Sequence, residues 1–576
     1  MGQKKLLNKK KISAIIYGLL LSVALVWGYQ LETTDHVEFG SVTALAFFVV
    51  LTVVITIATY SVWSLIDKKN TNIKNSDNKN SDKESTKRGL ISKILSKILS
   101  KPLYTWLTLC ILCMPVLLGV YPGFFVYDAQ TEVMEVITRQ FTTHHPLLHV
   151  LMLGVSVVGV HKVTGSYNLG IFLYMLIQMA VMNAVFTKAI WYLKKRGAGI
   201  KSRVVTVLYY GLFPTIVMYT LCSSKDGLFS AFMLLTVIYL MELAEDIMVF
   251  MTDRKKVLSL IASGTLMMLF RHNGFYAYVV FVIIYVAVSV IKKDIVWKKT
   301  DTNAKSGHKK CQMQLIAAFL ITIVLYMVIN KGLALALNAD DSEHQEMLTV
   351  PIQQVARVYY GHADDMPDED KEVLYKYISE EGLSHYTPRL SDIIKLYFDN
   401  EAYEQDSQSF WNLYFKYLKK YPATYINAWF MTSYGYWYPG AVINVYQGNT
   451  VFTFTYTDSS YFGYEVEEPG TRESLIPVID KFYRMLSIEK FQQNIPVISL
   501  FFAPAAYFWF ELMLILYALT GCKKINNENR QKAYKFIPLM LPLLVWATAL
   551  LGPTYLVRYV IVLWYLLPLI IKTSLE

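Results

Sequence analysis

Ionisable side chains gather in four short polar segments, each beside a long apolar run. They are Tyr127-Asp128-Ala129-Gln130, His144-His145-Pro146, Ser224-Lys225-Asp226 and Arg271-His272-Asn273-Gly274. Arg558, in Val557-Arg558-Tyr559, stands near one end of the last apolar run. Charge near the bilayer is costly, so groups placed there are first candidates for function. Asp128 offers a carboxylate at the water–lipid boundary, where partial desolvation would raise its proton affinity and suit a general base. The competing reading of Asp128 is a helix N-cap, with Thr131 and Glu132 completing the first turn. Lys225, Arg271 and Arg558 offer cations to an anionic substrate, and the planar fork of arginine matches phosphate. His272 and Asn273 join Arg271 as candidate substrate contacts. Asp226 could orient Lys225 or bind a hydroxyl, or Lys225-Asp226 could be a simple ion pair at a span end. His144 and His145 suit an interfacial turn or a phosphate contact. Being adjacent, they lack the i, i+4 spacing of a helical zinc pair, and no metal or other cofactor is expected.

The elements that must position these residues are apolar helices. The chain has 576 residues, 54% hydrophobic and 17% charged, with a mean hydropathy of +0.34. Soluble domains carry about 25% charged residues, and a disordered chain would be far less apolar. The apolar residues cluster in runs of about 20, the length that crosses a bilayer core. The expected class is an all-α polytopic membrane protein. Net charge is +11, but the basic residues lie between apolar runs, where they set topology and do not point to nucleic acid. Five cysteines do not make a disulfide framework, and Cys110 and Cys113 lie inside an apolar run, where helix packing is the expected role.

Basic loops at Lys194 to Arg203, Arg254 to Lys256, Lys292 to Lys310 and Lys523 to Lys535 should be cytoplasmic. Keeping them all inside requires the stretch Leu147 to Val160 to be a re-entrant or interfacial helix, since its 14 or so residues fall short of a span. About 12 spans result, with both termini cytoplasmic and the four polar segments on the outer face. The expected divisions are two N-terminal helices (1–66), a basic cytoplasmic linker (67–101), a membrane core (102–330) with a first outer loop at 122–168, an extracytoplasmic and mostly helical domain (331–494), and C-terminal helices (495–576). Within the linker, Ile94 to Lys101 reads as a short amphipathic helix. After Asp128, Ala129, Val133, Ile137 and Phe141 form one apolar helical stripe. Asn444 to Tyr456 alternates around a Gly-Asn turn and is expected to be a hairpin, and Thr471 to Asn494 a helix. Asp340-Asp341 and Asp364-Asp365 read as solvated loops.

The order of these pieces resembles the GT-C superfamily of polyprenyl-phosphate-sugar-dependent membrane glycosyltransferases. The segment His144-His145-Pro146-Leu147-Leu148 is similar to the His-Pro-Pro-Leu segment of the protein mannosyltransferase and aminoarabinose transferase branch. Tyr121 to Gln130, Ser223 to Ser230, Arg271 to Gly274 and Leu556 to Tyr559 look closest to an uncharacterised family of large Gram-positive membrane proteins within that clan. The resemblance covers roughly residues 102–330 and places a catalytic Asp at Asp128. The loop has no Asp-x-Asp, which departs from the metal-dependent oligosaccharyltransferase pattern.

The resemblance implies a lipid-linked sugar donor, a glycan acceptor such as a cell-wall or surface polymer, and a site at the outer face of the cell membrane. A transporter or flippase of lipid-linked saccharide is the rival, and would spread polar residues along the spans. A lipid-linked glycan polymerase would share the donor and the face, and a scaffold without activity completes the alternatives.

Overall fold

The computed structural model describes residues 2–77, 97–291, 305–443, 464, 466–520 and 534–575. Among them there are helices, turns and isolated β-bridges but no strand. Among the described residues nine helices are long and apolar enough to cross a membrane, and Pro504–Thr520 and Ile537–Ala549 are shorter apolar helices. The expected hairpin at 444–456, most of the expected linker and residues 292–304 and 521–533 lie outside the described residues.

Several expected boundaries move. The second N-terminal helix, Val42–Asp77, runs about ten residues past the expected start of the linker. Only Lys97 and Ile98 of the expected amphipathic helix at 94–101 are described as helical, followed by a turn. The span expected from Val204 to Leu221 divides into Ile200–Leu212 and Pro214–Thr220. Pro214 has no N–H and holds Phe213 in extended backbone, which ends the first helix. The expected helix from Thr471 to Asn494 is helical only from Pro477, and in three pieces. The segment expected to span from Pro496 begins its helix at Pro504.

Two ends of the main bundle can be told apart by their ion pairs. At one end Glu242 meets Lys188, Lys195 and Lys256, and Glu245 meets Lys195 and Arg196. Two of the basic loops therefore share one end. At the other end of the helix Lys225–Glu245 stand Lys225 and Asp226. At 1.5 Å per residue, its 21 residues separate the two ends by roughly 30 Å, a bilayer core.

The helix Leu147–Thr164 has 18 residues, longer than expected because it continues through a π-helical turn, Gly154–Val158. Its length would allow a crossing, but its packing is oblique. His149, near its start, reaches Tyr174, only eight residues into the helix Tyr167–Lys195. At its far end Asn168 bonds the backbone of Thr471, and Glu473 bonds the carbonyl of Tyr121 at 3.0 Å. The helix thus begins and ends at the Lys225 end of the bundle.

Residues 344–425 have a hydrophobic core of their own, centred on Ile352, Val358, Leu374, Ile378 and Phe410. The aromatic run after it packs back on the bundle: the Tyr434 hydroxyl donates to Glu32 at 2.6 Å, and Tyr436 to the carbonyl of Thr554 at 3.1 Å. Cys110 and Cys113 are free thiols facing Asn183, in keeping with helix packing.

Candidate functional site

The loop after the helix Pro102–Gly119 is pinned to the turn before Lys225 by backbone bonds. Phe124 N–H donates to Leu221 at 3.0 Å, Ser223 N–H to Phe124 at 2.9 Å, and Val126 N–H to the Ser223 hydroxyl at 3.1 Å. Gly123 enters this loop at φ +135, and a Cβ there would stand 2.5 Å from the Met175 side chain. Only glycine fits such a position without strain. On the far side, Glu467 N–H donates to the Phe125 carbonyl at 2.8 Å. These bonds bring three distant segments to one place.

Asp128 occupies the N-cap position of the helix Ala129–Thr138, but its side chain makes no capping bond. It accepts instead from Lys225 Nζ at 2.6 Å and from Arg558 Nη1 at 3.3 Å. Capping therefore does not account for this carboxylate. Its side chain is 29% exposed, against 12% for Lys225 and 10% for Arg558, so it is the accessible member of the group. Burial alone would raise its proton affinity, as the sequence suggested. Arg558 and Lys225 outweigh burial and hold the carboxyl well below the usual range. The expected upward shift is thus reversed, and Asp128 is ionised.

The helix presents a different face from the expected stripe. Ala129 and Val133 are buried, but Ile137 is exposed and Phe141 lies beyond the helix end. Glu132 and Glu135 turn inward because partners await them. Glu132 accepts from Lys225 at 3.3 Å and bonds His149 Nδ1, and Glu135 accepts from the backbone and hydroxyl of Thr142. Burial lifts the Glu135 carboxyl to about 7.

His145 is buried, its Nδ1 3.2 Å from Lys225 Nζ. Burial and the neighbouring ammonium push its imidazole down to about 3. It is neutral, so the expected phosphate contact there would be a hydrogen bond without positive charge. His144 is exposed and meets His145 edge to face at 4.5 Å. Asp226 accepts from the Ser224 hydroxyl at 2.6 Å and from the guanidinium of Arg271, which lies over Tyr559 at 4.6 Å. Arg558 Nη1 stands 4.0 Å from Asp226 and links the two carboxylates. His272 bonds the Tyr326 hydroxyl at 3.0 Å and Asn273 the Thr548 hydroxyl at 3.1 Å. Those two contacts join helices to one another. Asp128, His145, Lys225, Asp226, Arg271 and Arg558 are brought together, with His144 at the rim.

Sequence reasoning missed a buried row behind this cluster. From Glu132 it passes to His149, whose Nε2 is 2.7 Å from the Tyr174 hydroxyl. Tyr174 donates to Gln178 at 2.8 Å, and Gln178 donates to the carbonyl of Cys222 at 2.6 Å. Part of the signal was available: Glu132 follows Asp128, at the cap of its helix, by four residues, a spacing that puts the two side chains on one side. Glu467 was missed too, and its loop carries no pattern that singles it out. Burial and the charge of Asp128 raise its carboxyl to about 8.

Asp128, Glu132 and His145 offer ligand atoms within 4.8 Å of one another, a set that the sequence reading did not anticipate. Three such ligands could take a divalent cation. Lys225 Nζ, at 2.6, 3.3 and 3.2 Å from these same three side chains, stands where that cation would sit. A metal would have to displace it.

All-helical among its described residues and apolar over helices of crossing length, the fold is that of a helical membrane protein with a charged cluster at one end of its bundle. The chain belongs to DUF6020, a family of unknown function, whose model matches residues 136–571. Asp128 and Glu132 lie just before the matched segment, and His145, Lys225, Arg271 and Arg558 lie within it. No curated protein and no solved structure matches the chain.

Proposed function

We propose that this protein is a GT-C-type membrane glycosyltransferase that moves a sugar from a polyprenyl-phosphate-linked donor to an extracytoplasmic glycan acceptor. The observation that carries the reading is the convergence of Asp128, Lys225, Arg271 and Arg558 from four separate segments at one end of the bundle. Two of the basic loops lie at the opposite end, which favours an outer site.

Transfer joins an acceptor oxygen to the anomeric carbon as the bond to the phosphate oxygen breaks. The phosphate leaves with the electron pair, and the acceptor proton needs a base. In the free enzyme Lys225 and Arg558 hold Asp128 ionised and weakly basic. A donor phosphate would draw on the same two cations, and Asp128, relieved of part of that charge, would gain proton affinity. The base is thus strengthened when the donor is in place. Arg271 adds its fork to the phosphate side, with Asp226 fixing it.

One observation favours the rival transporter reading: the row from Glu132 to Gln178 carries polar groups into the bundle. His149, Tyr174 and Gln178 are fully buried and bonded to one another. A transporter would have to open this packed seam. Mass spectrometry of lipid-linked and wall glycans, with and without the gene, separates the readings. A transferase leaves its lipid-linked donor accumulated and one sugar missing from the polymer. A flippase leaves a complete lipid-linked saccharide unused.

A further inference from the structure

A cavity of about 280 Å³ lies between Pro504–Thr520, Met540–Ala549 and the last helix, away from the charged cluster. Its walls are apolar, among them Phe508, Ile515, Leu543 and Leu566, with one exception, Glu511. Glu511 is the eighth of 17 residues of its helix, so it stands half-way along an apolar segment, and it is 5% exposed. Its Oε1 has no hydrogen-bond partner among the described residues, and neither has the indole nitrogen of Trp546, which lines the same cavity. Leaving a buried acceptor and a buried donor unmatched in apolar surroundings is costly. Leu519 and Leu543, 39% and 47% exposed, stand at the cavity's open side.

The chemistry of the two groups narrows the occupant. A cation would satisfy Glu511 and leave the indole N–H unmatched. An anion would accept from the indole and oppose the carboxylate. A plain acyl chain would meet neither. A hydroxyl donates to one and accepts from the other. The volume equals the share of about nine waters, enough for a slender chain segment and too small for two acyl chains side by side. Water alone would have only these two polar groups to hold it in an otherwise apolar space. We propose that this groove binds a single-chain, uncharged lipid alcohol, whose hydroxyl lies between Glu511 and Trp546. The site is independent of the chemistry performed at Asp128.

The test uses the purified full chain in lipid nanodiscs and hexadecanol carrying a mid-chain diazirine. After photolysis, label is mapped to peptides of 504–520 and 540–549. The alcohol is expected to label these helices about tenfold more than the matching diazirine alkane, the worth of its buried hydrogen bonds. Glu511→Gln, whose amide oxygen still accepts, keeps the labelling. Glu511→Leu and Trp546→Phe each lower it roughly fivefold to tenfold. Trp546→Phe retains the ring stacked on Phe508 at 4.0 Å, so it decides the matter if Glu511→Leu does not fold. Equal labelling by the alkane, equal labelling by a two-chain diacylglycerol probe, or wild-type labelling of Trp546→Phe would each overturn the proposal.

Discussion

Arg271 is a paired cation and Glu467 a carboxyl that burial keeps protonated, and each yields a prediction. The Arg271 guanidinium is held by Asp226 and lies over Tyr559. Arg271→Lys keeps the charge and loses the planar fork, so donor affinity should fall by about tenfold with maximal turnover less affected, read as the split between KM and kcat. Glu467 titrates near 8 in the folded protein, against 4.5 ordinarily. The folded state then binds the proton more tightly than the unfolded one between those values. Stability from this group is full below about 4.5 and is lost as pH rises towards 8. Glu467→Gln cannot ionise and should flatten that decline, by on the order of a few kcal/mol at pH 9. Thermal unfolding of purified protein at pH 6 and pH 9 measures it, and a decline as steep as wild type would remove Glu467 as its source.

Elements make these residues meet, and here the sequence was only partly legible. The polar segments around Asp128, His145, Lys225, Arg271 and Arg558 could be read directly, because charge between apolar runs is conspicuous. Their partners could not, since pairing across the 97 residues from Asp128 to Lys225 depends on backbone bonds between a loop and a turn. The helix after Asp128 was read by its apolar stripe, yet Glu132 and Glu135 face inward, because buried cations and imidazoles reverse the usual sidedness. Gly123 is the pivot of the loop. Gly123→Ala should strain the backbone and press on Met175, costing about 1–3 kcal/mol and displacing Asp128. Tyr174→Phe should cost about 1–3 kcal/mol as well, because His149 and Gln178 lose the hydroxyl between them. Melting temperatures in detergent check both, and an unchanged value for Tyr174→Phe would mean that water replaces the hydroxyl.

At the scale of the whole molecule, the expected topology turns on the parity of the spans. Leu147–Thr164 starts and finishes at one end of the bundle, while Lys195, Arg196 and Lys256 share the other. A cysteine in place of Gly199, where added atoms meet nothing within 4 Å, should resist an impermeant thiol reagent in intact cells. One in place of Gly361, equally open, should be labelled. The reverse pattern would turn the molecule over and put the cluster in the cytoplasm.

The central claim, that the cluster around Asp128 transfers sugar, meets its most direct test in membranes supplied with a polyprenyl-phosphate-sugar donor and envelope acceptor. Asp128→Asn keeps the shape of the side chain and removes the base. Asp128 makes no capping bond and the Asn amide oxygen can still accept from Lys225 or Arg558, so the variant should fold and insert while transfer falls roughly 10²–10⁴-fold. Undiminished transfer by Asp128→Asn at normal abundance would contradict the account.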